Sequence, residues 1–190
     1  MCMAAQVALR STALLLAVTL TAGCGGPKSS RRLHPEVNAP AEAWAGVGRI
    51  AVLPPDNWTM DFGPEYIAWY RAVIHELLRE KGFDVVPLVD VNRFFRQNKF
   101  TIAAEATSYP IGELAARLKA DAILFWTITS EGPHLAFALQ KADGTALWCT
   151  GEVRLDLGYV TPIGTRYAAD DGGMALALGE ILRHLPGRVR

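Results

Sequence analysis

Apolar and polar positions follow two different periods along this chain, and the switches between them mark its elements. Ile50-Ala51-Val52-Leu53 is a continuous apolar run after Arg49, closed by Pro54-Pro55, which is the pattern of a strand buried on both faces. From about Pro64 to Lys81 the period becomes helical. Ile67, Tyr70, Ile74, Leu77 and Leu78 form a stripe, proline sits near the first turn, and Gly82 stops the run. Phe83 to Val86 predicts a second strand. Asp90 predicts the cap of a short helix carrying Val91, Phe94 and Phe95, and Ile111 to Lys119 predicts another helix with Leu114 and Leu118 inward. Asp121 to Thr129 (DAILFWTIT) is apolar enough for a central strand.

The pattern then turns antiparallel. Leu135, Phe137 and Leu139 alternate with smaller or polar residues, Asp143-Gly144 is a two-residue hairpin signal, and Thr145 to Leu155 returns as the partner strand. Strict period two puts Leu147, Cys149, Val153 and Leu155 on one face, and Trp148, Thr150, Glu152 and Arg154 on the other, mostly polar one. A Gly/Pro-bearing loop over 156–169 leads to a helix opened by Asp170-Asp171, with Met174, Leu178, Ile181, Leu182 and Leu185 as its stripe and Pro186-Gly187 as its end. The order of elements predicts an α/β fold with an α+β tendency: a single, three-layer-like domain with a mixed sheet of about five strands flanked by helices.

The amino terminus reads as an address. Arg10 precedes the apolar stretch Ala13 to Leu20, which is too short for the roughly 20 residues of a spanning helix and has the length of a signal-peptide core. Leu20-Thr21-Ala22-Gly23-Cys24 resembles the lipobox of bacterial lipoproteins, with Thr21 where leucine is commonest. The resemblance implies cleavage before Cys24 and lipid on its thiol, leaving acyl chains that hold a protein to a membrane. The expected organisation is a signal peptide over 1–23, the lipidated cysteine and a flexible Gly/Pro/Ser-bearing tether over 24–46, and one globular domain over 47–190.

Charge removes one class of partner. Among 190 residues, 19 Lys+Arg balance 19 Asp+Glu, without the clustered basic excess that neutralises phosphates, so nucleic acid is excluded as an expected partner. With 51% hydrophobic and 20% charged residues the chain can build a core. Of three cysteines, Cys2 lies in the leader and Cys24 is the lipid site. Cys149 is left as a buried thiol, with neither a disulfide nor a cysteine metal cluster expected.

Several of these segments together carry a family resemblance. The lipobox, the Pro-rich tether, the run Ile50 to Thr59 (IAVLPPDNWT), the approach Lys119-Ala120-Asp121-Ala122 to a strand and the hairpin Asp143 to Trp148 (DGTALW) look like a family of small Gram-negative lipoproteins typified by a genome-derived neisserial surface antigen. The resemblance spans roughly residues 47–160. It implies a domain similar to the amino-terminal domain of TolB and to the periplasmic part of the curli-secretion lipoprotein CsgG. It also implies an outer-membrane-anchored protein, facing the periplasm or the surface, that serves envelope transport, secretion or assembly without catalysis. CsgG forms a pore through long membrane hairpins, and no pair of about ten-residue amphipathic strands is spare here.

Searches for chemistry return little. His34, His75, His134 and His184 are dispersed without metal-ligand spacing, and His75 reads as a solvated flank residue beside the apolar stripe. No G-x-S-x-G or G-x-x-x-x-G-K motif occurs. Glu76 and Glu80 read as exposed, and Asp170-Asp171 as favouring a helix dipole. No enzyme activity, cofactor or metal is expected.

The positive signal is apolar side chains in places where the fold has little use for them. Trp58, Met60 and Phe62 alternate in the loop after the first strand, beside Asn57, and Trp148 falls on the mostly polar face of its strand. These five residues, Asn57, Trp58, Met60, Phe62 and Trp148, are the candidate partner-binding set, with Tyr159, Ile163 and Tyr167 as a possible completion. The other reading is that the loop folds back over the sheet and a helix covers Trp148. The expected function is an interaction protein docking onto an envelope component, such as a CsgG-like or transporter partner. Regulation of a cell-wall synthase and small-ligand or glycan binding are the alternatives. A homo-oligomer through an open sheet edge or the same patch also fits.

Overall fold

A computed structural model describes residues 36–56, 64–129, 134–154 and 178–188. Its sheet has six strands in the order β1-β6-β5-β4-β2-β3: β1 (Val37–Asn38), β2 (Arg49–Val52), β3 (Asp84–Val85), β4 (Ala122–Thr129), β5 (His134–Lys141) and β6 (Ala146–Arg154). The helices are α1 (Pro64–Glu80), α2 (Leu88–Asn98), α3 (Ala103–Ala106), α4 (Ile111–Leu118) and α5, described over 178–182. A 3-10 turn, Ala41–Trp44, joins β1 to the approach to β2. β2 runs parallel to β3 and β4, while β4, β5, β6 and β1 pair antiparallel in succession.

The apolar runs of β2 and β4 arise because both faces of the sheet are covered. Ile50, Val52, Leu124, Trp126 and Ile128 share one cluster with Tyr70, Ile74 and Leu78 of α1 and with Leu178, Ile181 and Leu182 of α5. Ala51, Leu53, Ile123 and Phe125 project the other way and join Val91, Phe94 and Phe95 of α2, Ala103 and Ala106 of α3, and Leu114 and Leu118 of α4. The fold is therefore three-layered with a mixed sheet. Asp121 pins the start of β2, its carboxylate accepting from the amides of Gly48 and Arg49 at 2.9 and 2.8 Å. Gly82, at φ +88, turns α1 into β3, and Gly144, at φ +92, closes the β5–β6 hairpin.

The structure departs from the sequence reading at five places. The domain starts before residue 47: Val37 and Asn38 pair with Cys149 and Trp148, and Trp44 is buried. A two-residue edge strand within a polar, Pro-rich stretch carries no period to betray it. Second, α2 begins at Leu88 after Pro87, so Asp90 lies in its first turn rather than capping it, and pairs with Arg93 at 2.9 Å. Third, α3 falls where no helix was expected. It is held by Glu105, whose carboxylate accepts from the amides of Thr101 and Ile102.

Fourth, His75 is buried, not solvated. Fifth, Trp148 is fully buried, and so does not contribute to a surface patch. Its placement follows from a break in period. The register Leu139↔Trp148 and Gln140↔Ala146 leaves Leu147 as an extra residue, so Leu147 and Trp148 both join the cluster under α1 while Cys149 faces the opposite one. A second irregularity leaves Thr150 without a partner in the register, and its hydroxyl accepts from the amide of Phe137 at 3.0 Å.

Candidate functional site at the carboxyl end of the parallel strands

β2 ends in a proline pair that carries the chain out of the sheet, and the chain is then held at Asp56. The Asp56 amide donates to the carbonyl of Trp126 at 2.9 Å, making a parallel bridge to Thr127, and its carboxylate accepts from the amide of Ala104 in α3. Burial pushes the Asp56 carboxyl above its ordinary value, and the Ala104 bond opposes that shift. Trp126 secures the same turn from within, its indole N–H donating to the carbonyl of Leu53 at 2.8 Å.

On the other flank of β2, the ladder with β3 runs out of donors. Gly48 and Ile50 carbonyls accept from the amides of Asp84 and Val86, both at 2.9 Å. The next donor in that alternation is Leu88, but the chain turns at Pro87 and Leu88 opens α2 instead. The Val52 carbonyl would be orphaned, and Arg71 of α1 supplies the donor, with Nη2 at 3.0 Å from it and Nη1 at 2.6 Å from Asn92 Oδ1 in α2. Desolvation lowers the guanidinium to about 10, which leaves it charged at neutral pH. Among the described residues no carboxylate pairs with it. One helical turn further on, His75 Nε2 lies 3.2 Å from the carbonyl of Val86, the bond that fixes the tautomer with the proton on Nε2. Burial, the largest influence, lowers the His75 pKa.

This end of the sheet also gathers the connections. β2 and β4 finish there, β5 and α1 start there, and the approach to β1 and the departure from β6 lie there, by the directions of pairing. At the opposite end the links are short and hydrogen-bonded: the 81–83 turn, the 119–121 turn and the 142–145 hairpin turn. The two exposed large apolar side chains among the described residues, Tyr66 at 43% and Val89 at 56%, sit in the first turns of α1 and α2, which both begin at the gathering end. The sequence reading missed them because a single apolar residue off a stripe resembles ordinary surface.

Of the sequence-predicted set, only Trp148 is among the described residues, and it is in the core. Asn57, Trp58, Met60 and Phe62 lie outside the described residues, as do Tyr159, Ile163, Tyr167 and Cys24. Glu76 and Glu80 are exposed as expected, and Cys149 is buried as expected. Among the described residues no cluster of His, Cys, Asp and Glu converges to hold a metal ion, and no helix is long and apolar enough to cross a membrane.

No curated protein matches the chain in sequence. The crystal structure of lipoprotein GNA1162 from Neisseria meningitidis aligns over 73% of this chain and 99% of its own, with 22% identity and a TM-score of 0.50, a likeness of fold. More distant alignments, with TM-scores of 0.46 and 0.44, are the PelC dodecamer from Paraburkholderia phytofirmans (18% identity, 81% of this chain and 95% of that one) and LpoB from E. coli (14% identity, 77% and 85%). The profile of the family described as "Putative lipoprotein GNA1162-like" matches residues 47–146, and the chain belongs to that family of GNA1162-like lipoproteins.

Proposed function

We propose that this lipid-anchored protein of the cell envelope is a non-catalytic docking component of an envelope transport, secretion or assembly system. In this reading Cys24 carries the lipid, and the loop bearing Asn57, Trp58, Met60 and Phe62 meets the partner. The observation that supports it most is the convergence at the carboxyl end of the parallel strands. The predicted loop leaves from Asp56 and returns at Pro64 there, beside the exposed Tyr66 and Val89. Aromatic and Met side chains on a rigidly held rim suit an interface core. Arg71, His75 and Asp56 spend their polar groups on the fold's own backbone, which is scaffold work rather than catalysis.

The test is the double replacement Trp58→Ser with Phe62→Ser in the lipidated chain. If the loop is a docking surface, recovery of the envelope partner is lost while the thermal midpoint shifts by less than about 4 °C, the scale of surface substitutions. A midpoint lower by roughly 10 °C or more would place both side chains in the core and end this reading.

A further inference from the structure

The two ends of the sheet differ in charge as well as in their connections. At the end where β2 begins, Lys81, Asp84, Lys119, Asp121, Lys141 and Asp143 lie in or beside the tight turns. At the carboxyl end of the parallel strands, where α1, α2 and α4 start, the acids are mostly occupied. Asp56 accepts from the amide of Ala104, and Glu105 from those of Thr101 and Ile102. Asp90 and Glu113 pair with Arg93 and Arg117 at 2.9 and 2.7 Å. Among the described residues, Glu65 is the exposed first-turn acid without such a partner. Beside it stands Tyr66, 43% exposed, and the first turn of α2 holds Val89, 56% exposed. These are the two exposed large apolar side chains among the described residues.

We propose that this end of the domain rests on a phospholipid surface, with Tyr66 and Val89 at the level of the headgroups. The inference rests on the reading that Cys24 carries lipid, and adds to it which end of the domain faces that lipid. β1 runs antiparallel to β6, so the chain enters the sheet from the carboxyl end of the parallel strands. Eleven residues separate Cys24 from Glu36, at most about 40 Å when extended, so a bilayer holding the lipid lies within reach of this end. Charged groups resist leaving water, which turns the opposite end outward. A tyrosine suits the boundary, its ring in the apolar region and its hydroxyl among the headgroups. Two side chains offer too little apolar surface to hold a free domain at a membrane. The acyl chains do the holding, and Tyr66 and Val89 select the orientation. None of the docking-loop residues enters the argument.

The test places a fluorophore at each end of the domain. The lipidated full chain, with Cys149→Ala to leave one thiol, is labelled with nitrobenzoxadiazole at Tyr66→Cys, Val89→Cys, Lys119→Cys or Asp143→Cys. Each is reconstituted in phosphatidylethanolamine/phosphatidylglycerol vesicles that carry a spin label on a lipid headgroup. Quenching at 66 and 89 is expected to exceed that at 119 and 143 by about five-fold or more. With the label at Glu65→Cys, Tyr66→Ser and Val89→Ser together should cut quenching by about three-fold or more, and thermal melts of each variant confirm that the fold is kept. Flotation with the vesicles keeps two failures apart. A chain that does not float defeats the reading of Cys24 and this proposal with it. A chain that floats with equal quenching at all four positions, or with stronger quenching at 119 and 143, overturns the orientation alone.

Discussion

Arg71 is a charged side chain in a buried place, 5% exposed, and its position is explained by a backbone carbonyl that the turn from β3 into α2 leaves open rather than by an anion. The turn at Pro87 carries the next donor of the alternation, Leu88, into α2 and away from β2, and the guanidinium takes over at Val52 while also reaching Asn92. A fork of several N–H groups can serve both acceptors, whereas a single ammonium cannot hold the same pair. Arg71→Ala is expected to lower unfolding free energy by roughly 2–3 kcal/mol through the buried carbonyl it orphans, and Arg71→Lys to recover less than half of that, read from urea unfolding. His75 gives a pH signature. Burial lowers its folded pKa below 6.5, so the folded state binds fewer protons than the unfolded chain. Its stability contribution is whole above pH 6.5 and is lost as pH falls through the folded value. Asp56, whose folded pKa is raised, contributes the opposite slope, nearer its ordinary 3.8. The urea midpoint should therefore drop more steeply from pH 7 to pH 5 in the native chain than in His75→Gln; parallel curves would remove His75 from the account.

At the scale of elements, α5 and the residues after it share the layer of α1 on one face of the sheet. Lys81 Nζ donates to the carbonyls of Arg183 and Leu185 at 3.1 and 2.6 Å, and the Arg188 amide donates back to the Lys81 carbonyl at 3.0 Å. Leu182 is fully buried in the same cluster as Leu78 and Trp148. Leu182→Ala should cost about 3 kcal/mol, the usual scale for a buried leucine, measured by urea unfolding. A cost under about 1 kcal/mol would mean that α5 is peripheral. The elements legible in the sequence were those with one sustained period: β2, α1, α4, β4 and the Asp143-Gly144 hairpin. Those hidden from it depend on partners elsewhere. β1 needs β6 to exist as a strand, α3 is held by the carboxylates of Glu105 and the distant Asp56, and Trp148 changes face because one residue is inserted into a ladder. The rim was half legible. Its loop advertises itself through Trp58, Met60 and Phe62, but Arg71 and His75 resemble any solvated helix flank until the end of β3 is known.

For the whole molecule, one end of the sheet is finished and the other is where the chain reaches out. The tight turns and α5 seal the end at which β2 begins, while the approach to β1 lies at the gathering end with Asp56, Pro64, Tyr66 and Val89. Eleven residues separate Cys24 from Glu36, and fully extended they span at most about 40 Å. Under the proposed function, a lipid on Cys24 would keep the start of β1, and with it that rim, within about that distance of the membrane. Geometry of this kind favours a membrane-proximal partner over a soluble one, because tethering raises the effective concentration of the docking face.

The central claim is that the rim loop docks onto an envelope protein, and a photocrosslinker at position 58 of the lipidated chain in intact cells tests it most directly. One dominant adduct with an envelope protein, identified by mass spectrometry and lost when Cys24→Ser removes the anchor, is the predicted result. Absence of any adduct, with the probe shielded from solvent, would show that the loop folds back into the core and would contradict the account.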